Sequence, residues 1–282
     1  MQQGALDKAL PHFSYILVHF PEKSGLVYDV LLKAVQDQDF ILMRVVPDDL
    51  IPFNHYLNYL YEIGDRDTAI KAWAKKASLG YESDRNEALR HIDFLISRNA
   101  LSNAFQVWKD RLKLEGLPAP PGNNLITNGG FEKEKILGGG FDWKMAPVPG
   151  ASISFDAFSA LEGKRSLRIT FNGKENIDFH HLSQVVSWKP DTDYLLKAHV
   201  RTKEVTTKSG IKIEVIGIGP GLHALSESLT GDNSWKELTV DFHTPAQSQG
   251  GIIRVRREKT DKFDRFLSGE VWLDNIQLRE KR

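Results

Sequence analysis

Residues 124–132 read "NLITNGGFE", directly after "LPAPPG" at 117–122. A helix cannot run through that junction, because each proline lacks an N–H and its ring clashes with the preceding turn. Upstream of it, apolar residues recur at helical spacing. Downstream they alternate, as in half-buried strands. The expected organisation is therefore multidomain, α and then β. A helical domain spans 1–118, a Pro-rich linker 119–123, and an antiparallel β-sandwich 124–282.

Three segments of the first half carry the helical period: 5–20, 53–79 and 86–114. Gly64-Asp65 and Asn99-Ala100 interrupt the last two, where tight helix–helix turns belong. Leu57, Leu60, Ala69 and Trp73 recur as Ile92, Leu95, Ala104 and Trp108, each 35 residues later. A period near 34 residues, with a small residue and then an aromatic four positions on, marks stacked helical hairpins. The segment resembles the tetratricopeptide repeat (TPR) family, in which the small residue admits the second helix and the aromatic fills the groove beside it. Ala9, Phe13 and Pro21 fit the tail of the same pattern, and 28–50 fits it poorly. The resemblance implies a TPR-like α-hairpin solenoid fragment that begins inside a repeat and docks a protein partner. A plain helical bundle explains the same periodicity.

In the second half, "SLRITF" (166–171) sets Leu167, Ile169 and Phe171 on one face, and "YLLKAHVR" (194–201) turns Leu196, Ala198 and Val200 inward. "IKIEV" (211–215), "KELTVDF" (236–242) and "VWLDNIQL" (271–278) repeat the alternation between Gly, Asn, Asp and Pro turns. Many short strands so punctuated indicate an antiparallel sandwich.

Composition narrows the function. Of 282 residues, 41% are hydrophobic and 26% charged, so both halves can bury a core. Basic and acidic residues balance, 14 against 16 in 1–119 and 23 against 21 in 120–282. Neither half matches nucleic acid or an anionic membrane electrostatically, so no nucleic-acid partner is expected. No apolar run of about 18 residues is present, so no membrane insertion is expected. The absence of cysteine excludes disulfides and thiolate metal sites.

The order of signals in the second half is "NLITNGGFE", Trp143, "ALEGKRSLRI" (160–169), "HLSQVVSWKPDTDYLLKAHVRT" (181–202), "SWKELTVDFHTP" (234–245) and "GEVWLDNIQL" (269–278). This succession resembles the jelly-roll carbohydrate-binding modules of the family 4/9/22 type, within the galactose-binding-domain-like superfamily. The resemblance implies a jelly roll that binds an oligo- or polysaccharide. It also implies one structural Ca2+ held by Glu132, Asp274 and the backbone around Gly163–Lys164. Calcium takes carboxylate and carbonyl oxygens together, which suits such a set. Glu132 and Asp274 also read as ordinary strand-end acids.

A sugar site needs an aromatic ring against the apolar face of a pyranose, with polar groups reading its hydroxyls. Trp143, after the Gly138–Gly140 loop, is the candidate platform. Phe179 and His181 share a parity opposite Leu182 and Val186, while His199 and Arg201 take the outward face of the next strand. If those faces coincide they form one polar-aromatic patch, though a solvated sheet face accounts for the same letters. Trp188, Trp235 and Trp272 are expected in the core. "RVRREKTDKFDRF" (254–266) reads as a charged strand edge with a hairpin, and as a weaker candidate for gripping acidic polysaccharide.

Catalysis is not expected. "GIGPG" (217–221) lacks a phosphate-loop spacing, and neither a G-x-S-x-G elbow nor His-Glu-x-x-His occurs. His180 and His181, adjacent on an expected strand, would point to opposite sides, so they are not expected to share a zinc. The expectation is a non-catalytic binding protein with a carbohydrate ligand. By the module's usual company it belongs in the cell envelope or outside the cell, as part of a longer chain. The rival is an envelope scaffold without sugar binding.

Overall fold

Seven helices come first among the residues that the computed structural model describes, 3–120, 122–219 and 221–281. They are α1 (Gln3–His19), α2 (Ser24–Val35), α3 (Gln38–Arg44), α4 (Leu50–Ile63), α5 (Arg66–Ser78), α6 (Arg85–Ser97) and α7 (Leu101–Leu114). Asp37, Asp49, Asp65 and Asp84 each cap a helix by accepting a backbone N–H of the first turn. Glu87 reaches back to the Asp84 N–H, closing a capping box. Gly64 ends α4 at φ +76°, where a side chain would be strained. The helices α4 and α5 start at residues 50 and 66, and α6 and α7 start 35 residues later, at 85 and 101. The 35-residue offset of the sequence is thus an offset of whole helices.

The chain divides into two compact units, 1–100 and 101–282. The division precedes the change of secondary structure at 119–123, so α7 is described with the strands. In the first unit Tyr28, Tyr56 and Leu60 are fully buried among aliphatic neighbours. Trp73 is half-buried and stacks on the buried His91 ring at 4.3 Å and 6°.

The second unit is a sandwich of two five-stranded antiparallel sheets. Its strands are β1 (Lys144–Met145), β2 (Ala151–Asp156), β3 (Ser166–Asn172), β4 (Leu182–Ser187), β5 (Asp193–Val205), β6 (Lys212–Gly217), β7 (His223–Leu225), β8 (Gly231–His243), β9 (Gly250–Arg256) and β10 (Ser268–Glu280). Sheet I runs β1-β4-β9-β6-β7 and sheet II runs β2-β3-β10-β5-β8. The expected inward triplets, Leu167/Ile169/Phe171 and Leu196/Ala198/Val200, lie in the core, facing Val186, Ile213, Val215, Ile253 and Val255. Each Leu, Ile, Val or Phe side chain among them contributes about 1.5–3 kcal/mol by leaving water. One buried stripe of α7, Leu101, Ala104, Trp108 and Leu112, belongs to this unit, and Trp108 meets Phe141 edge-on at 5.9 Å.

The opening stretch has a specific job. The Leu125 N–H donates to Leu278 O (2.9 Å), and the Ile276 N–H donates to Gly129 O (2.9 Å). Asn124 Oδ1 accepts from both the Ile126 and Leu278 N–H groups. Residues 124–129 therefore lie along the last strand and join the beginning of the sandwich to its end. The approach is so close that a Cβ on Gly129 would sit 2.0 Å from Ile276 O.

Two sequence expectations change here. Strand β9, read as a charged edge, is the middle strand of sheet I, and Arg257 just beyond it is fully buried. Its guanidinium is held by Asn176 Oδ1, Ile177 O and Arg265 O, so it contributes no grip on a ligand. Phe263, at the tip of the same run, is fully exposed.

Candidate functional site

The five residues expected around a sugar do not form one patch. Phe179 is 0% exposed and packs edge-on against Phe171 in the core. It forms an isolated bridge with Arg257, after which residues 180 and 181 leave the ladder before β4 begins. That break shifts the alternation by one, so Phe179 and Leu182 both point inward despite their odd spacing. His181 lies at the outer face of sheet I and packs against the Phe179 and His180 rings. Burial, then the charge of His180, lowers its pKa. Trp143 is partly buried: it packs on the core beside Phe131 (5.2 Å), and its Nε1–H donates to Asn128 O. His199 and Arg201 are on β5, in sheet II. The patch is thus divided between opposite faces of the sandwich.

The outer face of sheet I centres on a carboxylate. Glu214, 4% exposed, binds Arg254 through Oε2 and His223 Nε2 at 2.7 Å through Oε1, while Arg256 pairs with Asp178. Burial pushes the Glu214 carboxyl up, but the hydrogen bonds from Arg254 and His223 outweigh it and hold the group below its ordinary range. The ions neutralise one another.

Sheet II is different. Arg168, Trp272 and Arg201 are aligned across β3, β10 and β5 by register. The Arg201 guanidinium lies 4.9 Å over the Trp272 ring and donates to Ser159 Oγ at 2.8 Å. Trp272 is buried, as expected, but on this outer face; its Nε1–H donates to Asp156 Oδ2 at 2.8 Å. Beyond Arg201 the ladder between β5 and β8 is broken twice. Val200 pairs with Lys236 and Thr202 with Asn233, so Ser234 and Trp235 both stand opposite Arg201. Val205 then pairs with Gly231, so Lys203 and Glu204 stand opposite Asp232. One extra residue on each strand in turn is a pair of opposed bulges, and bulges re-aim side chains.

Between these bulges lies an open groove of about 470 Å³, lined by Arg201–Glu204 and Asp232–Trp235. Trp235, expected in the core, is half-exposed and lines this groove together with Arg201, which it faces by register. The walls are fixed by hydrogen bonds. The Glu204 N–H donates to Asp232 Oδ1 (2.6 Å), and Asn233 Nδ2 donates to Thr202 Oγ1 (2.8 Å). Glu204 holds φ +53°, a strained left-handed conformation for a side-chain-bearing residue. His199 is two residues before Arg201 on the same face, near Glu237, and its buried Nδ1 has no hydrogen-bond partner among the described residues. Chemically, the groove offers one flat ring, a guanidinium, an ammonium, an amide and two carboxylates along the bulged strands.

Glu132 and Asp274 converge on the turn 161–165, as the sequence implied. Asp274 is 0% exposed; its Oδ2 accepts the Leu161 and Glu162 N–H groups (2.8 and 3.1 Å), and its Oδ1 accepts the Asn275 N–H. Glu132 Oε1 accepts the Lys164 N–H at 2.9 Å and the Arg165 N–H at 3.3 Å. Lys164 thus presents its N–H to this pair, not its carbonyl. Burial pushes the Asp274 carboxyl up, and the neighbouring Glu132 charge adds to the shift. No lysine or arginine side chain pairs with either carboxylate among the described residues. The donor type suits a hard cation, but only two carboxylates are present, and no group of three metal-binding side chains occurs among the described residues.

No family model and no curated protein matches the chain. Solved carbohydrate-binding modules are similar to its C-terminal β part. A family 16 module is 20% identical over 55% of this chain and 99% of its own length, with a TM-score of 0.40. A family 22 xylan-binding domain from Paenibacillus barcinonensis is 20% identical over 58% of this chain and 97% of its own, with a TM-score of 0.40. A family 4 module is 13% identical over 55% and 99%, with a TM-score of 0.41.

Proposed function

We propose that the sandwich binds an oligosaccharide without transforming it, in the groove between the two bulges of β5 and β8. One observation carries this: Trp235 is turned out of the core beside Arg201 in a groove whose other walls are polar and hydrogen-bonded in place. A half-exposed indole covers the apolar face of a pyranose, while Arg201, Asn233 and Asp232 meet its hydroxyls. Because the walls are already ordered, little conformational entropy is lost on binding. The resemblance of the signal order in 124–282 to carbohydrate-binding modules supports the same ligand class. It also supports a site in the cell envelope or outside the cell, and no described helix is long and apolar enough to cross a membrane.

A structural calcium at Glu132 and Asp274 belongs to the same proposal. What supports it is a fully buried carboxylate beside a second one, with no cationic side chain to neutralise them. Such an ion would neutralise the pair and tie the turn 161–165 to the last strand.

A glycan array probed with the whole chain tests the carbohydrate site. Binding is expected, with a loss of at least about tenfold in Trp235→Ala and no change in His181→Ala. A blank array, or binding that survives Trp235→Ala, removes this assignment. A blank array together with a protein captured by the helical unit would favour the scaffold instead.

A further inference from the structure

We infer that a second saccharide site, selective for a uronic acid residue, lies at the other end of β5, in a groove between α7 and the strand ends. The groove measures about 400 Å³ and shares no lining residue with the one around Trp235. From Tyr194 at its wall to Arg201 is seven residues of strand, roughly 23 Å. The two sites are therefore independent, and this inference does not rest on the Trp235 groove.

The side chains come from two directions. Ser102, Phe105 and Lys109 occupy one stripe of α7, at i, i+3 and i+7, next to the stripe that is buried. Opposite them are Leu125, Tyr194 and the Lys189–Glu280 pair. Phe105 is half-buried and anchored edge-on against Phe141 at 5.1 Å, so the ring is held in place. The Lys109 ammonium lies 5.4 Å from the centre of the Phe105 ring, and no carboxylate pairs with it among the described residues. Across the groove Lys189 binds Glu280 at 2.7 Å, but their side chains are 70% and 43% exposed, so the pair exchanges partners at little cost.

These features specify a ligand. A sugar ring offers the apolar face that Phe105 requires. A carboxylate on that ring neutralises Lys109, which has no counter-charge among the described residues. Hydroxyls on the ring suit Ser102 and Glu280. A neutral sugar leaves the ammonium uncompensated, and a simple carboxylate leaves the ring uncovered. Selectivity for the acid follows from charge-assisted hydrogen bonding at Lys109, which is about twice as strong as a neutral contact.

Calorimetric titration of the whole chain with α-1,4-linked trigalacturonate and with its methyl ester tests this. The acid is expected to bind, and the ester about tenfold more weakly. Lys109→Gln, an exposed change that leaves the fold intact, should weaken the acid about tenfold and abolish the difference between acid and ester. Phe105→Leu, which keeps apolar volume but removes the flat ring, should weaken both ligands. Trp235→Ala should leave all of this unchanged. The inference is overturned if trigalacturonate does not bind, if acid and ester bind alike, or if Trp235→Ala removes acid binding while Lys109→Gln does not. A neutral oligosaccharide lost in Trp235→Ala but not in Lys109→Gln reports on the other groove alone.

Discussion

Gly129→Ala puts the reading of "NLITNGGFE" to a quantitative test. The added Cβ would lie 2.0 Å from Ile276 O, 3.0 Å from Ile276 C and 3.1 Å from Ile126 Cγ2. Two of those atoms are backbone of β10, in the middle of the sandwich, and cannot step aside as a side-chain tip would. The segment 124–129 must therefore move away from β10. Overpacking of this kind costs about 1–3 kcal/mol. The movement also stretches the Ile276 N–H to Gly129 O bond of 2.9 Å, whose loss adds about 1 kcal/mol. The expected loss is about 2–4 kcal/mol, or roughly 5–12 °C in melting temperature for a unit of this size. Gly129 has no left-handed φ, so the effect is steric alone. Gly130→Ala is the control: its nearest contact would be Asp274 Oδ1 at 3.7 Å, an ordinary separation, and it should cost below about 1 kcal/mol. Urea unfolding followed by near-ultraviolet circular dichroism monitors the tryptophans, of which Trp108, Trp143, Trp188, Trp235 and Trp272 lie in the unit that contains the sandwich and Trp73 in the helical unit. If the two alanine variants unfold together within about 0.5 kcal/mol, the close pairing of residues 124–129 with β10 is wrong.

Other outcomes follow from single groups. Burial, then the charge of Lys76, lowers the His91 pKa to about 3. The folded helical unit therefore keeps this ring neutral, and its stability is full above pH 6.5 and falls as pH drops from there toward about 3. The slope approaches about 1.4 kcal/mol per pH unit. His91→Asn, which retains a partner for the Tyr61 hydroxyl, should flatten the helical unit's stability between pH 6 and 4; an unchanged slope refutes the assignment. If Glu132 and Asp274 hold calcium, a hundredfold excess of ion over its dissociation constant adds about 2.7 kcal/mol and raises the melting temperature several degrees. Chelator should reverse the gain and Asp274→Asn should suppress it, whereas identical melts with and without calcium leave two hydrogen-bonded acids. Glu204→Gly should stabilise the second bulge by up to about 1 kcal/mol by relieving φ +53°, and destabilisation by that amount would show that the Glu204 side chain is needed there.

Local chemistry made much of this protein legible from its letters. Pro120, Pro121 and Gly122 stop helices whatever surrounds them, and strict alternation in "SLRITF" and "YLLKAHVR" assigns inward faces because successive side chains on a strand point to opposite sides. Aspartate caps and the 35-residue offset are likewise local or repetitive signals. The site was legible only in part. His199 and Arg201 sit on the outward face that parity assigns them, next to the groove, because β5 is regular up to Val200. Parity then fails at particular places. Residues 180 and 181 leave the ladder and turn Phe179 inward, whereas Trp235 shares the outward parity of Glu237, Thr239 and Asp241, and the bulge opposite Arg201 sets it in the groove. A bulge is a mismatch between two strands some 30 residues apart in sequence, so neither strand's own pattern records it. The central place of β9, the shared turn that Glu132 and Asp274 bind, and the covering of Trp143 by Phe131 are pairings of the same long-range kind. Sequence alone determined which residues can form strands and which faces want burial. Tertiary structure decided the register between strands, and register placed the one half-exposed tryptophan of the sheet beside an arginine.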